Sequence, residues 1–173
     1  MKKSKDNVAD LPLAQRIRQT RLVVFDFDGV FTDNRVLVGD DGSEYVLCSR
    51  ADGLGLENLR RNGVNCIVLS AETNLVVARR CEKLKLEYLQ GCSDKWESLK
   101  EILQQRKIDP AHVAYMGNDI NDLTCMEHVG FAICVADAYP EIKAVAHLVT
   151  SHRGGEGAVR EVCDLFIRVK KDG

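Results

Sequence analysis

The chain has 173 residues, 24 of them basic and 26 acidic, for a formal net charge of −2 at pH 7. That balance leaves no electrostatic footprint for nucleic acid or an anionic membrane surface. No apolar run reaches the roughly 18 residues of a membrane span, and none follows the Lys2, Lys3, Lys5 cluster as a signal peptide requires; one cytoplasmic domain over 1–173 is expected, with 1–12 as a solvated tail.

In chain order, a helix is predicted over 13–19, then a short apolar strand over 22–25. The strand runs into Asp26-Phe27-Asp28-Gly29-Val30-Phe31-Thr32. Two carboxylates two residues apart repel one another, so burying them requires a cation or a shared proton. Residues 34–48 read as a β-hairpin flap: apolar arms 35–38 and 44–48 joined by Gly39-Asp40-Asp41-Gly42-Ser43. It follows the paired acids at once, so it should stand over the same end of the sheet. A helix over 54–61 leads to a strand over 65–69 that ends at Ser70, followed by Ala71 and Glu72.

A helix over 74–84 comes next, and then one over 95–107 whose first turn contains Lys95. A cation there opposes the helix dipole, which hints at an anionic partner elsewhere. A strand over 112–116 enters Gly117-Asn118-Asp119-Ile120-Asn121-Asp122, a cluster of hard oxygen ligands of the kind Mg²⁺ prefers. A helix over 121–127, strands over 131–135 and 148–150, and a closing helix over 157–169 complete the alternation. This is the pattern of βα units around a parallel sheet.

Seven cysteines never fall as C-x-x-C, which argues against zinc and a disulfide framework. Cys66 and Cys134 sit in strand-like runs and read as small buried hydrophobes. The four histidines lack ligand spacing and read as structural.

Together, D-x-D-G-V-x-T, the strand-end serine, the lysine and G-N-D-x-N-D resemble the four motifs of the haloacid dehalogenase superfamily of phosphohydrolases. Val135-Ala136-Asp137-Ala138 and the run from Arg153 to Val162 extend the likeness to its capless branch, which acts on 3-deoxy-D-manno-octulosonate 8-phosphate and on nine-carbon relatives, over about residues 20 to 168. The resemblance implies a three-layer, Rossmann-like α/β fold with helices on both faces of a central parallel sheet and no cap domain. It also implies a homotetramer in which adjacent subunits close the active site.

It implies Asp26 as nucleophile, Asp28 as acid and then base, and Ser70 and Lys95 as holders of the phosphoryl oxygens. Mg²⁺ would rest on Asp26, Asp28 and Asn118, with Asp119 and Asp122 in support. Asn118 departs from the family's usual aspartate, removing one negative charge from the metal site. Substrate choice is expected at Ser49, Arg50, Asp52 and Gly53, read as a loop, and at Glu72 and Arg80. The position of Glu72 is usually arginine in octulosonate phosphatases and glutamate in nine-carbon relatives, such as those acting on KDN or N-acylneuraminate 9-phosphate.

Two other classes compete. Receiver domains also gather acids, a hydroxyl and a lysine at strand ends, but carry their acceptor aspartate on a later strand. A weakly active phosphatase-like oligomerisation module associated with a CMP-sialic acid synthetase would retain the fold without full activity.

Overall fold

The computed structural model describes residues 12–171, so the expected tail, with Lys2, Lys3 and Lys5, lies outside the described residues apart from Pro12. Six strands form one parallel sheet in the order β5-β4-β1-β6-β7-β8. They are β1 (Leu22–Phe25), β4 (Asn65–Leu69), β5 (Glu87–Leu89), β6 (Val113–Gly117), β7 (Phe131–Cys134) and β8 (Leu148–Val149). A separate pair, β2 (Leu37–Val38) and β3 (Glu44–Tyr45), is the antiparallel hairpin.

The central strands β1 and β6 are buried at every position, which is why both read as unbroken apolar runs rather than alternating ones. Their register sets Phe25 beside both Val68 and Met116, so the residues after Phe25, Leu69 and Gly117 emerge at one edge of the sheet. That edge is the carboxyl end of parallel strands, where the change of winding direction opens a crevice.

Helices cover both faces. Contacts group α1 (Leu13–Gln19), α2 (Arg50–Arg61), α3 (Leu75–Leu84) and α7 (Ala158–Lys171) in one layer, and α4 (Lys95–Arg106), α5 (Leu123–His128) and α6 (Pro140–Val145) in the other. Between them Phe25, Phe27, Phe31, Tyr115, Phe131 and Phe166 are fully buried, forming the middle of the core. The three-layer α/β expectation is met.

Three elements differ from the sequence reading. The expected 49–53 loop is the start of α2: Ser49 Oγ accepts the Ala51 N–H at 3.2 Å, and the helix begins at Arg50. Gly53 disguises the first turn of that helix, whose remainder matches the helix expected over 54–61. A Cβ on Gly55 would lie 3.1 Å from the Arg160 Cα of α7, so a small residue serves the helix contact. The edge strand β5 and helix α6 were unread because three and six residues are too few to display a period.

All seven cysteines are free. Burial pushes the Cys66, Cys81 and Cys125 thiols up to about 12, which leaves them inert packing groups.

Candidate active site

Each candidate group stands at the end of a central strand. Asp26 follows β1, Ser70 follows β4, and Asn118 follows β6. They line a cavity of about 340 Å³ together with Asp28, Asn34, Glu44, Glu72, Asn74, Asp119 and Asn121. Lysine and arginine do not line it among the described residues.

Lys95 reaches the site from below. Its Nζ lies 2.6 Å from Asp26 Oδ1 and 2.8 Å from Asp122 Oδ1, and all three side chains are at most 5% exposed. This is the anionic partner that its dipole-opposing place at the start of α4 implied. Burial works against the lysine's charge, but Asp26 and Asp122 outweigh it and its pKa is raised. Two carboxylates against one ammonium leave a buried excess of negative charge. Burial and Asp122 accordingly push the Asp26 carboxyl up to about 8 against the pull of Lys95.

Asp122 supports the site without presenting a free oxygen. Its Oδ1 also accepts from the Tyr115 hydroxyl at 2.7 Å, while Oδ2 accepts the Asn118 N–H at 2.9 Å and the Asp119 N–H at 3.3 Å. The expected metal support from Asp122 is therefore indirect: it orients Lys95 and shapes the Asn118 loop. Asp119 caps the following turn, accepting the Ile120 N–H at 2.6 Å, and borders the cavity.

Among the described residues no three His, Cys, Asp or Glu side chains converge as a metal cluster. A different set of oxygens does. The Asn118 side-chain amide abuts the Asp28 backbone carbonyl at 2.9 Å and Asp26 Oδ2 at 3.1 Å. Turned with nitrogen inward, the amide donates to both; turned with oxygen inward, it completes a hard trio suited to a small divalent cation. Asp28 thus offers its carbonyl to that point. Its carboxyl has a raised pKa, from burial first and then from Glu72.

Ser70 is buried at the cavity wall and its Oγ accepts the Glu72 N–H at 3.1 Å. Glu72 stands at the mouth with Oε1 accepting the Thr73 and Asn74 N–H groups, at 2.7 and 3.0 Å. Asn74 caps α3 and donates from Nδ2 to Glu44 Oε2 at 2.6 Å, fastening the hairpin to the cavity wall. Sequence reasoning missed Glu44, Asn74 and Asn34. Only the hairpin's position over the cavity distinguishes them from other polar surface residues.

The expected selectivity segment lies elsewhere. Asp52 is fully buried and accepts the Arg160 N–H of α7 at 2.9 Å, serving as that helix's cap from a distant part of the chain. Arg80 donates to the Ser49 carbonyl at 2.8 Å, and Arg50 is exposed on α2. Ser49, Arg50, Asp52, Gly53 and Arg80 are all absent from the lining of this cavity; capping by Ser49 commits residues 50–53 to helix rather than to an open loop, and Arg80 lies on α3.

Comparisons with known proteins identify the family and the fold. A model of haloacid dehalogenase-like hydrolases matches residues 70–162. The 3-deoxy-D-manno-octulosonate 8-phosphate phosphatase of Yersinia pestis is 37% identical over 161 residues, covering 92% of this chain and 86% of its own. A Streptomyces avermitilis crystal structure named as a HAD family hydrolase superposes with a TM-score of 0.84 at 42% identity, covering 92% and 91% of the two chains. The octulosonate 8-phosphate phosphatase of Moraxella catarrhalis, solved with magnesium, phosphate and KDO, superposes at 0.88 with 29% identity over 98% and 95%. The chain belongs to the haloacid dehalogenase-like hydrolases and is a phosphoric monoester hydrolase of that family.

Proposed function

We propose that this chain is a cytoplasmic, Mg²⁺-dependent phosphatase that removes the terminal phosphate of a 2-keto-3-deoxy sugar acid, with nine-carbon substrates favoured over 3-deoxy-D-manno-octulosonate 8-phosphate. The observation that carries the reading is the convergence of Asp26 Oδ2, the Asp28 carbonyl and the Asn118 amide above the Lys95 ion pairs. Bound Mg²⁺ would neutralise charge on the phosphoryl oxygens, and Asp26, Asp28 and Asn118 would hold it.

Asp26 attacks phosphorus, forming the Oδ–P bond as the bond to the sugar oxygen breaks. The departing oxygen takes the proton of Asp28, whose raised pKa suits it to arrive protonated. Asp28, now a base, accepts a proton from water, which cleaves the aspartyl phosphate and restores Asp26. Lys95 and Ser70 hold the phosphoryl oxygens.

Glu44 and Glu72 both line the cavity. Carboxylates there accept hydrogen bonds from sugar hydroxyls or an amide and repel a sugar carboxylate held close by. A nine-carbon chain sets its carboxylate one carbon further from the phosphate than an eight-carbon chain does, which supports the longer substrate.

The hairpin supports assembly as a tetramer with subunits closing one another's cavities. Leu37, Val38, Tyr45 and Leu47 are 60–79% exposed on it, apolar side chains that neighbouring copies would cover.

Phosphate release from a panel of eight- and nine-carbon keto acid phosphates, with and without Mg²⁺, tests the proposal; an inert protein ends it. Glu72→Arg is expected to move the kcat/KM ratio toward the eight-carbon substrate by about tenfold, and an unchanged ratio removes Glu72 from substrate choice. Proton and cation also compete for Asp26. With its carboxyl up to about 8, Mg²⁺ affinity should fall by about tenfold per pH unit below 8, as read by calorimetric titration. A flat profile from pH 6 to 8 would contradict that assignment.

A further inference from the structure

The loop after β7 contains a carboxylate with no part in the phosphoryl chemistry. Asp137 Oδ1 accepts the Gly154 N–H at 3.0 Å, and Oδ2 accepts from Arg153 Nε at 3.3 Å. Gly154 is pressed beneath the nucleophile loop: a Cβ there would lie 1.9 Å from the Gly29 carbonyl oxygen and 2.9 Å from that of Thr32. Gly155 has φ +72° and donates its N–H to the Val30 carbonyl at 3.1 Å, so the turn both touches and bonds that loop. Two residues beyond Asp137, the Tyr139 N–H donates to the Asn118 carbonyl at 3.0 Å. The Asp137–Tyr139 segment therefore bonds the Asn118 loop directly and holds, through Gly154, the turn that bonds the nucleophile loop.

We propose that Asp137 is a positioning residue: by anchoring the Arg153–Gly155 turn under Gly29, it sets the distance between the Asp26–Asp28 loop and Asn118. The two loops leave different strands, and the Asp28 carbonyl must stay where Asn118 and Asp26 Oδ2 meet it. Groups that orient ligands from behind commonly alter metal affinity or activity by about 10–100-fold. The side chain of Asp137 is 31% exposed, which places its effect at the lower end of that range. The activity readout rests on the phosphatase reading, but the others do not.

Asp137→Ala and Asp137→Asn separate the possibilities. The alanine variant is expected to lose about tenfold in kcat and in Mg²⁺ affinity, with substrate KM little changed. In the metal-free protein, backbone amide exchange at Gly154 and Gly155 should accelerate. The asparagine variant retains an oxygen that accepts the Gly154 N–H and should recover most of each effect. In a double-mutant cycle, Asp137→Ala should add little once Gly154→Ala has displaced the turn.

Wild-type kcat and Mg²⁺ affinity in Asp137→Ala would overturn the proposal, as would an asparagine variant no better than alanine. Activity lost only in proportion to unfolded protein would also overturn it. If the wild type releases phosphate from no monoester, the phosphatase reading fails, while metal affinity and amide exchange still decide the role of Asp137.

Discussion

Asp26→Asn is expected to abolish turnover, by at least about 10³-fold in kcat, while the protein stays folded. An amide of the same shape still accepts from Lys95 but cannot attack phosphorus. The stability effect has the opposite sign to the activity effect. Asp26, Asp122 and Lys95 share a buried site with one negative charge too many, and the native state holds the Asp26 proton up to about pH 8, against an ordinary value of 3.8. A carboxyl raised on folding destabilises the native state increasingly as pH climbs from its unfolded value to its folded one. The metal-free asparagine variant should therefore gain in Tm relative to wild type between pH 4 and pH 8. Full turnover in Asp26→Asn would displace Asp26 as nucleophile, and a variant that unfolds would contradict the charge argument.

Lys95→Met should be the most destabilising single change at the site. It leaves Asp26 and Asp122 buried without their shared cation, a cost of about 3–5 kcal/mol, to be measured by urea denaturation at pH 8. The loss should shrink at pH 5, where the unpaired carboxyls take up protons. Activity should fall by about 10²–10³-fold even in the folded fraction, since a positive charge facing the phosphoryl oxygens is removed. Lys95→Arg is not expected to rescue it, because a planar guanidinium does not fit a slot shaped for one ammonium between two carboxylates. A Lys95→Met protein as stable as wild type would mean that water or backbone compensates the two acids.

Much of this site was legible in the chain. Strands β1 and β4 coincide with their predicted ranges because their buried positions, all of β1 and the last three of β4, form apolar runs ended by a polar residue. Asp26, Asp28, Ser70 and Asn118 were singled out because each lies within three residues beyond such a run, and Lys95 because its charge conflicts with its own helix. The expected 49–53 loop misled for a local reason: Gly53 hides the first turn of a helix whose cap is a serine. Asp52 was placed with the substrate as part of that loop, whereas helix packing directs it to α7. Glu44 and Asn74 carried no signal, since a hydrogen bond between residues 30 apart has no sequence period.

The sequence by itself determined the strand-end placement of the polar groups and the parallel α/β layering, because these follow from local polarity and periodicity. Tertiary structure decided which oxygen each residue contributes. It turned Asp28's carbonyl toward Asn118, occupied both oxygens of Asp122, and set the Asp137–Gly154 turn beneath Gly29. Such choices depend on the relative placement of loops from different strands, and that placement is created only when the sheet assembles and the core packs around it.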